Sequence, residues 1–223
     1  MKQNILVIAT TLAFLFGCSS AITKYPKINI DDLSPAVVLA IPEKGRYLEP
    51  FEECQSEKTI CLDPEPQAIT YHIISQIYGD KLPNPIEVAT TGHFGLQSFN
   101  FRKKAPEIIF IGTKDGHYIL PRYHRIKSVE IKPGSYAIPV NQENMLWWLP
   151  CFASTLIQPI DFGSANSDLA IPLDEASEYL KKSPFAKLVN SSYIPTHGVY
   201  VKDLQNLLES TRPKTSEFKC GED

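Results

Sequence analysis

The sequence lacks every short motif that would assign it to a common class of enzyme. It contains no G-x-S-x-G nucleophile elbow, no H-E-x-x-H zinc motif, no glycine-rich phosphate loop, no dinucleotide fingerprint and no calcium loop. Internal repeats and low-complexity segments are also absent. These gaps exclude the enzyme classes that the motifs define, and a hydrolase with an unrecognised site remains the catalytic alternative.

The sequence also lacks a large excess of either positive or negative charge. The 22 basic and 25 acidic residues give a net charge of -3. A weakly acidic protein has no general attraction for nucleic acid, so we expect no such partner. Hydrophobic residues make up 43% of the chain, which is typical of a packed globular protein. The 18 prolines outnumber the 11 glycines, which favours short strands and loops over long helices.

The longest apolar run lies at the N-terminus, and no later run is long enough to span a membrane. Residues 1–4 form a short, weakly basic segment, and all residues from Ile5 to Phe16 are apolar or small. That run is too short to cross a bilayer, and the polar pair Ser19-Ser20 follows closely. We therefore expect residues 1–17 to be a signal peptide rather than a buried core helix.

The junction Leu15-Phe16-Gly17-Cys18 resembles the lipobox of bacterial lipoproteins. Leu15, Gly17 and Cys18 match that motif, and Phe16 departs from it because a small residue is usual there. The resemblance implies cleavage before Cys18 and acylation of Cys18, with palmitate among the attached lipids. Each buried CH₂ contributes about 0.8 kcal/mol, so several acyl chains anchor a protein firmly. In this family an aspartate directly after the cysteine often retains the protein at the inner membrane. Ser19 in that position therefore implies a location at the outer membrane, facing the periplasm.

The polar residues 18–34 are expected to form a tether, and four further cysteines follow it. An even number of cysteines in an exported chain predicts two disulfides. Of the three possible pairings we expect Cys54 with Cys61 and Cys151 with Cys220. On the loop-entropy account these contribute about 2.5 and about 4 kcal/mol. A zinc site is the alternative, disfavoured because the chain has no C-x-x-C and no histidine at finger spacing.

Short runs of alternating or continuous apolar residues predict a β-rich body over residues 35–160. The dipeptide Asp115-Gly116 predicts a hairpin turn within it. The expected strands are Val37–Ile41, Ile69–Ile77, Ile86–Thr90, Gln97–Phe101, Glu107–Gly112, His117–Leu120 and Ser128–Lys132. Strands this short and this closely spaced predict a mainly β fold, either a small OB-like barrel or a sandwich.

Residues 161–223 are expected to form a short helical C-terminal appendage, which makes the whole chain α+β. Asp174 is a candidate cap for one helix, and Pro184 a candidate first residue of another. Val199–Val201 reads as a short strand. Leucines at helical spacing predict a last helix over Asp203–Ser210.

The order of these segments also resembles netrin-module and metalloproteinase-inhibitor-like domains. The match consists of a strand, the junction Tyr78–Pro83, the strands Ile86–Val88 and Ile108–Gly112, and the D-G hairpin, all within residues 54–131. Those families are built on a five-stranded oligonucleotide/oligosaccharide-binding barrel. The resemblance implies the barrel fold alone, because the inhibitory arrangement of N-terminal cysteines is not evident here.

Basic and aromatic residues form a candidate ligand patch, namely Arg122, Tyr123, Arg125, Lys127, Trp147 and Trp148. Interleaved cations and aromatic rings suit an anionic lipid head, a glycan or a peptide carboxylate. We favour a plainer interpretation, in which the cations protect strand edges from aggregation. The adjacent tryptophans would point to opposite faces of a strand, and core packing is preferred for them over a ligand platform.

No metal or cofactor is expected. The five histidines are His72, His93, His117, His124 and His197. No pair of them has the i, i+4 spacing or the neighbouring carboxylates of a metal site.

The sequence therefore predicts a non-enzymatic binding or accessory module that is held to the envelope membrane through Cys18. Its expected partner is an envelope protein or a glycan. The alternatives are an inhibitor of a hydrolase, suggested by the barrel resemblance, and the hydrolase with an unrecognised site.

Overall fold

A computed structural model describes residues 33–48, 66–90, 96, 99, 101–120, 125–140 and 151–213, with the backbone alone for residues 151 and 152. The signal peptide, the tether, Cys18, Cys54, Cys61 and Cys220 lie outside the described residues, as does the side chain of Cys151. Lipid attachment and disulfide pairing therefore stay predictions. Among the described residues, no helix has the length and apolar character needed to cross a membrane.

Five strands form a closed barrel. They are β1 (Ser34–Tyr47), β2 (Gln67–Tyr78), β3 (Ile86–Thr90), β4 (Glu107–Lys114) and β5 (His117–Leu120). Their order is β1-β2-β3-β5-β4, and pairing of β1 with β4 completes the ring. All pairs are antiparallel except β3 with β5, which is the strand arrangement of an OB-type barrel. The predicted mainly β fold is thus confirmed, and it is a barrel rather than a sandwich.

Strand β1 has both faces buried, which explains its continuous apolar sequence. Ala36, Val38 and Ala40 face the barrel interior, and Val37 and Leu39 face a second layer outside it. The strand does not end at Ile41, the last residue of the predicted strand, but continues through Pro42 to Tyr47. A register shift between Pro42 and Lys44 accommodates the missing N–H, because proline is tolerated where a strand bulges.

The predicted strand Gln97–Phe101 is wrong at Phe99 and Phe101, the two of its residues that the structure describes. Leu96 lies in a 3-10 turn, Phe99 in a bend and residues 101–104 in turns. The rings of Phe99 and Phe101 stack with centroids 5.8 Å apart and pack into the barrel core with Leu96. Two aromatic residues at i, i+2 spacing satisfy the strand pattern, but here they cover the barrel from a loop.

A second sheet and the last helix form the layer outside the barrel. The sheet contains β7 (Val129–Lys132), β8 (Ser135–Pro139), β13 (His197–Tyr200) and β9 (Gln158–Pro159), in that order, while β6 (Arg125–Lys127) pairs with β4. Pairing of β8 with β13 crosses the expected division at residue 160. Helix α3 (Val201–Thr211) confirms the last predicted helix, and its Leu204 and Leu208 share one core with Leu39 and Phe110 of the barrel.

A third, small sheet contains β10 (Ile171–Pro172), β12 (Ser192–Pro195) and β11 (Ala186–Val189). Two short helices accompany it, α1 (Asn166–Leu169) and α2 (Glu178–Lys182). The predicted cap Asp174 is wrong, because Ser177 begins α2 and its Oγ accepts from the Leu180 N–H at 3.2 Å. Pro184 opens no helix, since it lies in a turn that leads into β11.

Candidate functional site

The predicted ligand patch is described only in part. Arg122, Tyr123, Trp147 and Trp148 lie outside the described residues, whereas Arg125 and Lys127 stand on β6. Lys127 is exposed. Arg125 packs against the barrel end, with its Cζ 3.9 Å from the centre of the Phe99 ring and its side chain 21% exposed. The guanidinium of Arg125 therefore has a structural role that its sequence neighbours did not reveal.

A carboxylate inside the barrel is the reason for this position of Arg125. Nη1 of Arg125 lies 3.4 Å from Oε1 of Glu107, and the hydroxyl of Tyr71 donates to Oε2 of Glu107 at 3.5 Å. Tyr71 and Glu107 are buried, because β2 and β4 direct both side chains into the barrel. In these three residues, here called the barrel-end triad, Glu107 lies 36 positions after Tyr71 and 18 positions before Arg125. No spacing rule connects them.

Burial dominates the electrostatics of the barrel-end triad. It raises the pKa of the Glu107 carboxyl above its ordinary value, against the opposing effects of Arg125, Lys127 and the Tyr71 hydroxyl. Burial and the nearby Glu107 also raise the pKa of Tyr71 well above its ordinary value. Phe99 covers this part of the barrel. We therefore interpret the barrel-end triad as a structural anchor and not as a site open to substrate.

The histidines that the structure describes do not come together. His72 is exposed on β2, His117 lies on β5, and His93 and His124 fall outside the described residues. Nδ1 of His197 lies 2.8 Å from Oγ1 of Thr196, and its ring packs edge-on against Phe185 at 5.3 Å. Within the described ranges, no three histidine, cysteine or acidic residues are grouped as metal ligands would be.

A cleft of about 310 Å³ lies between the segment 159–162 and the third sheet. Its lining residues are Pro159, Ile160, Asp161, Phe162, Asn166, Lys187, Ile194, Pro195 and Thr196. Backbone hydrogen bonds hold its frame, because the Ile160 N–H donates to the Thr196 carbonyl at 3.0 Å and the Thr196 N–H donates to the Phe185 carbonyl at 2.8 Å. This volume is at the small end of the range of ligand pockets, about 300–1,000 Å³.

The floor of the cleft is apolar and well packed. Phe162 is 1% exposed and Ile160 is 6% exposed. Gly198 of β13 permits this packing, since a Cβ there would lie 2.9 Å from Cζ of Phe162 and 2.5 Å from the carbonyl oxygen of Ile138. The cleft therefore has a rigid base on which its polar side chains are mounted.

Four polar side chains line the cleft. Oδ1 of Asp161 accepts from the Gly163 N–H at 2.9 Å, and the hydroxyl of Thr196 contacts His197. The side chain of Lys187 extends from an exposed position on β11. Oδ1 of Asn166 is buried and has no hydrogen-bond partner in the part of the chain that the structure describes. Sequence reasoning missed this site, because its residues come from four short segments that carry no motif.

Comparison with known proteins adds no relative. No protein-family model, no curated protein and no solved structure matches the chain. The protein is therefore classified by its fold alone. It is a mainly β protein with a closed five-stranded barrel and a short C-terminal helix.

Proposed function

We propose that this protein is a lipid-anchored binding or accessory module of the bacterial cell envelope, facing the periplasm from the outer membrane and performing no chemistry of its own. The cleft carries the proposal, because an apolar floor with a few fixed polar groups is the usual form of a binding site. The lipobox-like sequence at Cys18 supplies the anchor. The barrel supplies a rigid scaffold, since its ring is closed and apolar side chains pack within it.

The anchor is tested with Cys18→Ala in the full chain. We expect this variant to lose incorporation of labelled palmitate and to leave the membrane fraction, because the thiol is the attachment point. Ser20→Ala is the matched control and should keep both properties. Continued labelling of Cys18→Ala, with the protein still anchored, would refute the proposed anchor.

One contact favours the hydrolase alternative. A hydroxyl and an imidazole 2.8 Å apart at a cleft, as in Thr196 and His197, have the spacing of a nucleophile and its base. An activated nucleophile normally also has a third polar group that orients the base. The His197 ring packs against Phe185 instead. Turnover on a panel of ester and amide substrates that disappears in Thr196→Val would establish this second candidate and reject the non-enzymatic proposal.

A further inference from the structure

We propose that the cleft binds a small zwitterion, either a free amino acid or a dipeptide carrying the same charged groups. The inference rests on the proposed function, since it assigns a ligand class to the cleft of that binding module. Three features of the cleft support it, namely an unpartnered acceptor, two opposite charges and an apolar wall of limited size.

The unpartnered acceptor is Oδ1 of Asn166. Buried polar atoms in native proteins nearly always have a hydrogen-bond partner, and each exception needs an explanation. The Asn166 backbone N–H donates to the Gly163 carbonyl, which fixes the residue at the start of α1. Its buried amide oxygen accepts nothing from the described residues. A ligand that supplies an N–H donor, such as an ammonium or an amide, would complete this hydrogen bond.

Opposite charges line the same cleft. The Asp161 carboxylate uses one oxygen for the Gly163 N–H, and a carboxylate retains acceptor capacity beyond one bond. Lys187 brings an ammonium to the cleft from β11. In the described part of the chain, no ion pair joins Asp161 to Lys187. A ligand ammonium therefore matches Asp161 with Asn166, and a ligand carboxylate matches Lys187.

The apolar lining limits the ligand to something small. Pro159, Ile194 and Pro195 surround a cleft of about 310 Å³, which suits one short aliphatic side chain beside the two charged groups. A sugar is disfavoured, because Phe162 is 1% exposed and offers no free ring face for stacking. An isolated anion is disfavoured because the lining contains the Asp161 carboxylate as well as Lys187.

The test measures binding of defined probes to the full-length lipoprotein in detergent by isothermal titration. The probes are L-alanine, D-alanine, the dipeptide Ala-Ala, N-acetyl-Ala-Ala and N-acetyl-alanine amide. We expect an alanine or Ala-Ala to bind, and N-acetyl-alanine amide, which has neither charge, to bind at least tenfold more weakly. Preference for alanine identifies a free amino acid as the ligand, and preference for Ala-Ala identifies a dipeptide. Binding of N-acetyl-Ala-Ala as tight as that of Ala-Ala would refute the role of a ligand ammonium.

Variants separate a binding role from a structural role. Asn166→Leu and Lys187→Met should each weaken the best zwitterionic probe at least tenfold, whereas Lys182→Met, on α2 and outside the cleft lining, should leave it unchanged. Asn166→Leu should also keep or raise the unfolding temperature without ligand, because it removes an unpartnered buried acceptor. A lowered unfolding temperature together with undiminished binding would show that the Asn166 amide only supports the fold.

Failure of this inference is distinguishable from failure of the proposed function. If no zwitterion binds at millimolar concentration, while an envelope component is captured by the native protein and lost in Lys187→Met, the ligand class is wrong and the binding module stands. If no zwitterion binds and Lys187→Met changes no interaction, both proposals are refuted.

Discussion

Replacing Arg125 with methionine should destabilise the folded protein by about 3 kcal/mol at pH 7, the low end of the range for breaking a buried ion pair. Glu107 is 4% exposed in the native protein, and the variant removes the cation that lies 3.4 Å from its carboxylate. Methionine keeps an aliphatic stem but removes the guanidinium, so the ion pair with Glu107 and the contact of Cζ with the Phe99 ring are lost together. Urea unfolding at pH 7 measures the cost. Lys127→Met, exposed on the same strand, should change stability by less than about 0.5 kcal/mol.

The cost of Arg125→Met should shrink as the pH falls. In the native protein burial raises the pKa of Glu107 above 4.5, and Arg125 is the largest of the effects that lower it. Removing Arg125 therefore raises the pKa of Glu107 further. A carboxyl with a raised folded pKa contributes its full stability below its unfolded pKa, and that contribution is lost as pH rises through the folded pKa. The variant should thus approach the native stability near about pH 4 and fall behind it toward pH 7.

Glu107→Gln provides the double-mutant cycle for this pair. Glutamine keeps the size of the side chain and cannot titrate, so Arg125→Met in that background should cost the same at both pH values. We expect a coupling of at least about 1 kcal/mol between the two positions at pH 7. If Arg125→Met costs less than about 1 kcal/mol at pH 7, or costs the same at pH 4 in the native background, then the ion pair does not anchor the barrel end.

The sequence was sufficient to predict most of the barrel strands. Alternation located β2 and β3, and the unbroken apolar run Ile108–Ile111 marked β4 as a strand buried on both faces. The D-G turn was also correct, since Asp115 and Gly116 both adopt positive φ. Each of these features depends on a pattern within a few residues. Local patterns report which face of a strand is buried, and that was enough to predict the fold class.

Closure of the ring and the location of the cleft depend on residues that are far apart in the sequence. Local patterns could therefore not predict them. The ring closes through pairs such as Ala36 with Ile111, and nothing near either residue specifies that register. The cleft is lined by Asp161 and Asn166 together with Lys187, which lies on a sheet whose strands are only two to four residues long. Such short strands carry almost no periodic signal. The helix predicted to begin at Pro184 was wrong for the same reason, because the short strand β11 that follows gives no periodic signal of its own.

Gly79→Ala should destabilise the protein by about 2–5 kcal/mol, combining a left-handed backbone cost of about 1–2 kcal/mol with about 1–3 kcal/mol of steric overlap. Gly79 follows the end of β2 at φ +82°. A Cβ there would lie 2.5 Å from the carbonyl oxygen of Pro35 and 3.0 Å from Cα of Ala36. Both contacts belong to the backbone of β1, the strand that pairs with β2 and β4 to close the ring, so the overlap cannot be relieved by rotating a side chain.

Gly116→Ala is the matched control, because it separates the two contributions. Gly116 has φ +79°, nearly the same as Gly79, and a Cβ there would meet nothing within 4 Å. It should therefore lose only the backbone contribution of about 1–2 kcal/mol. Urea unfolding of the two variants under one set of conditions gives the difference, which we expect to be about 1–3 kcal/mol in favour of Gly116→Ala. Equal costs would mean that β1 moves freely away from the end of β2, and that the close approach of the two strands at Gly79 does not constrain the barrel.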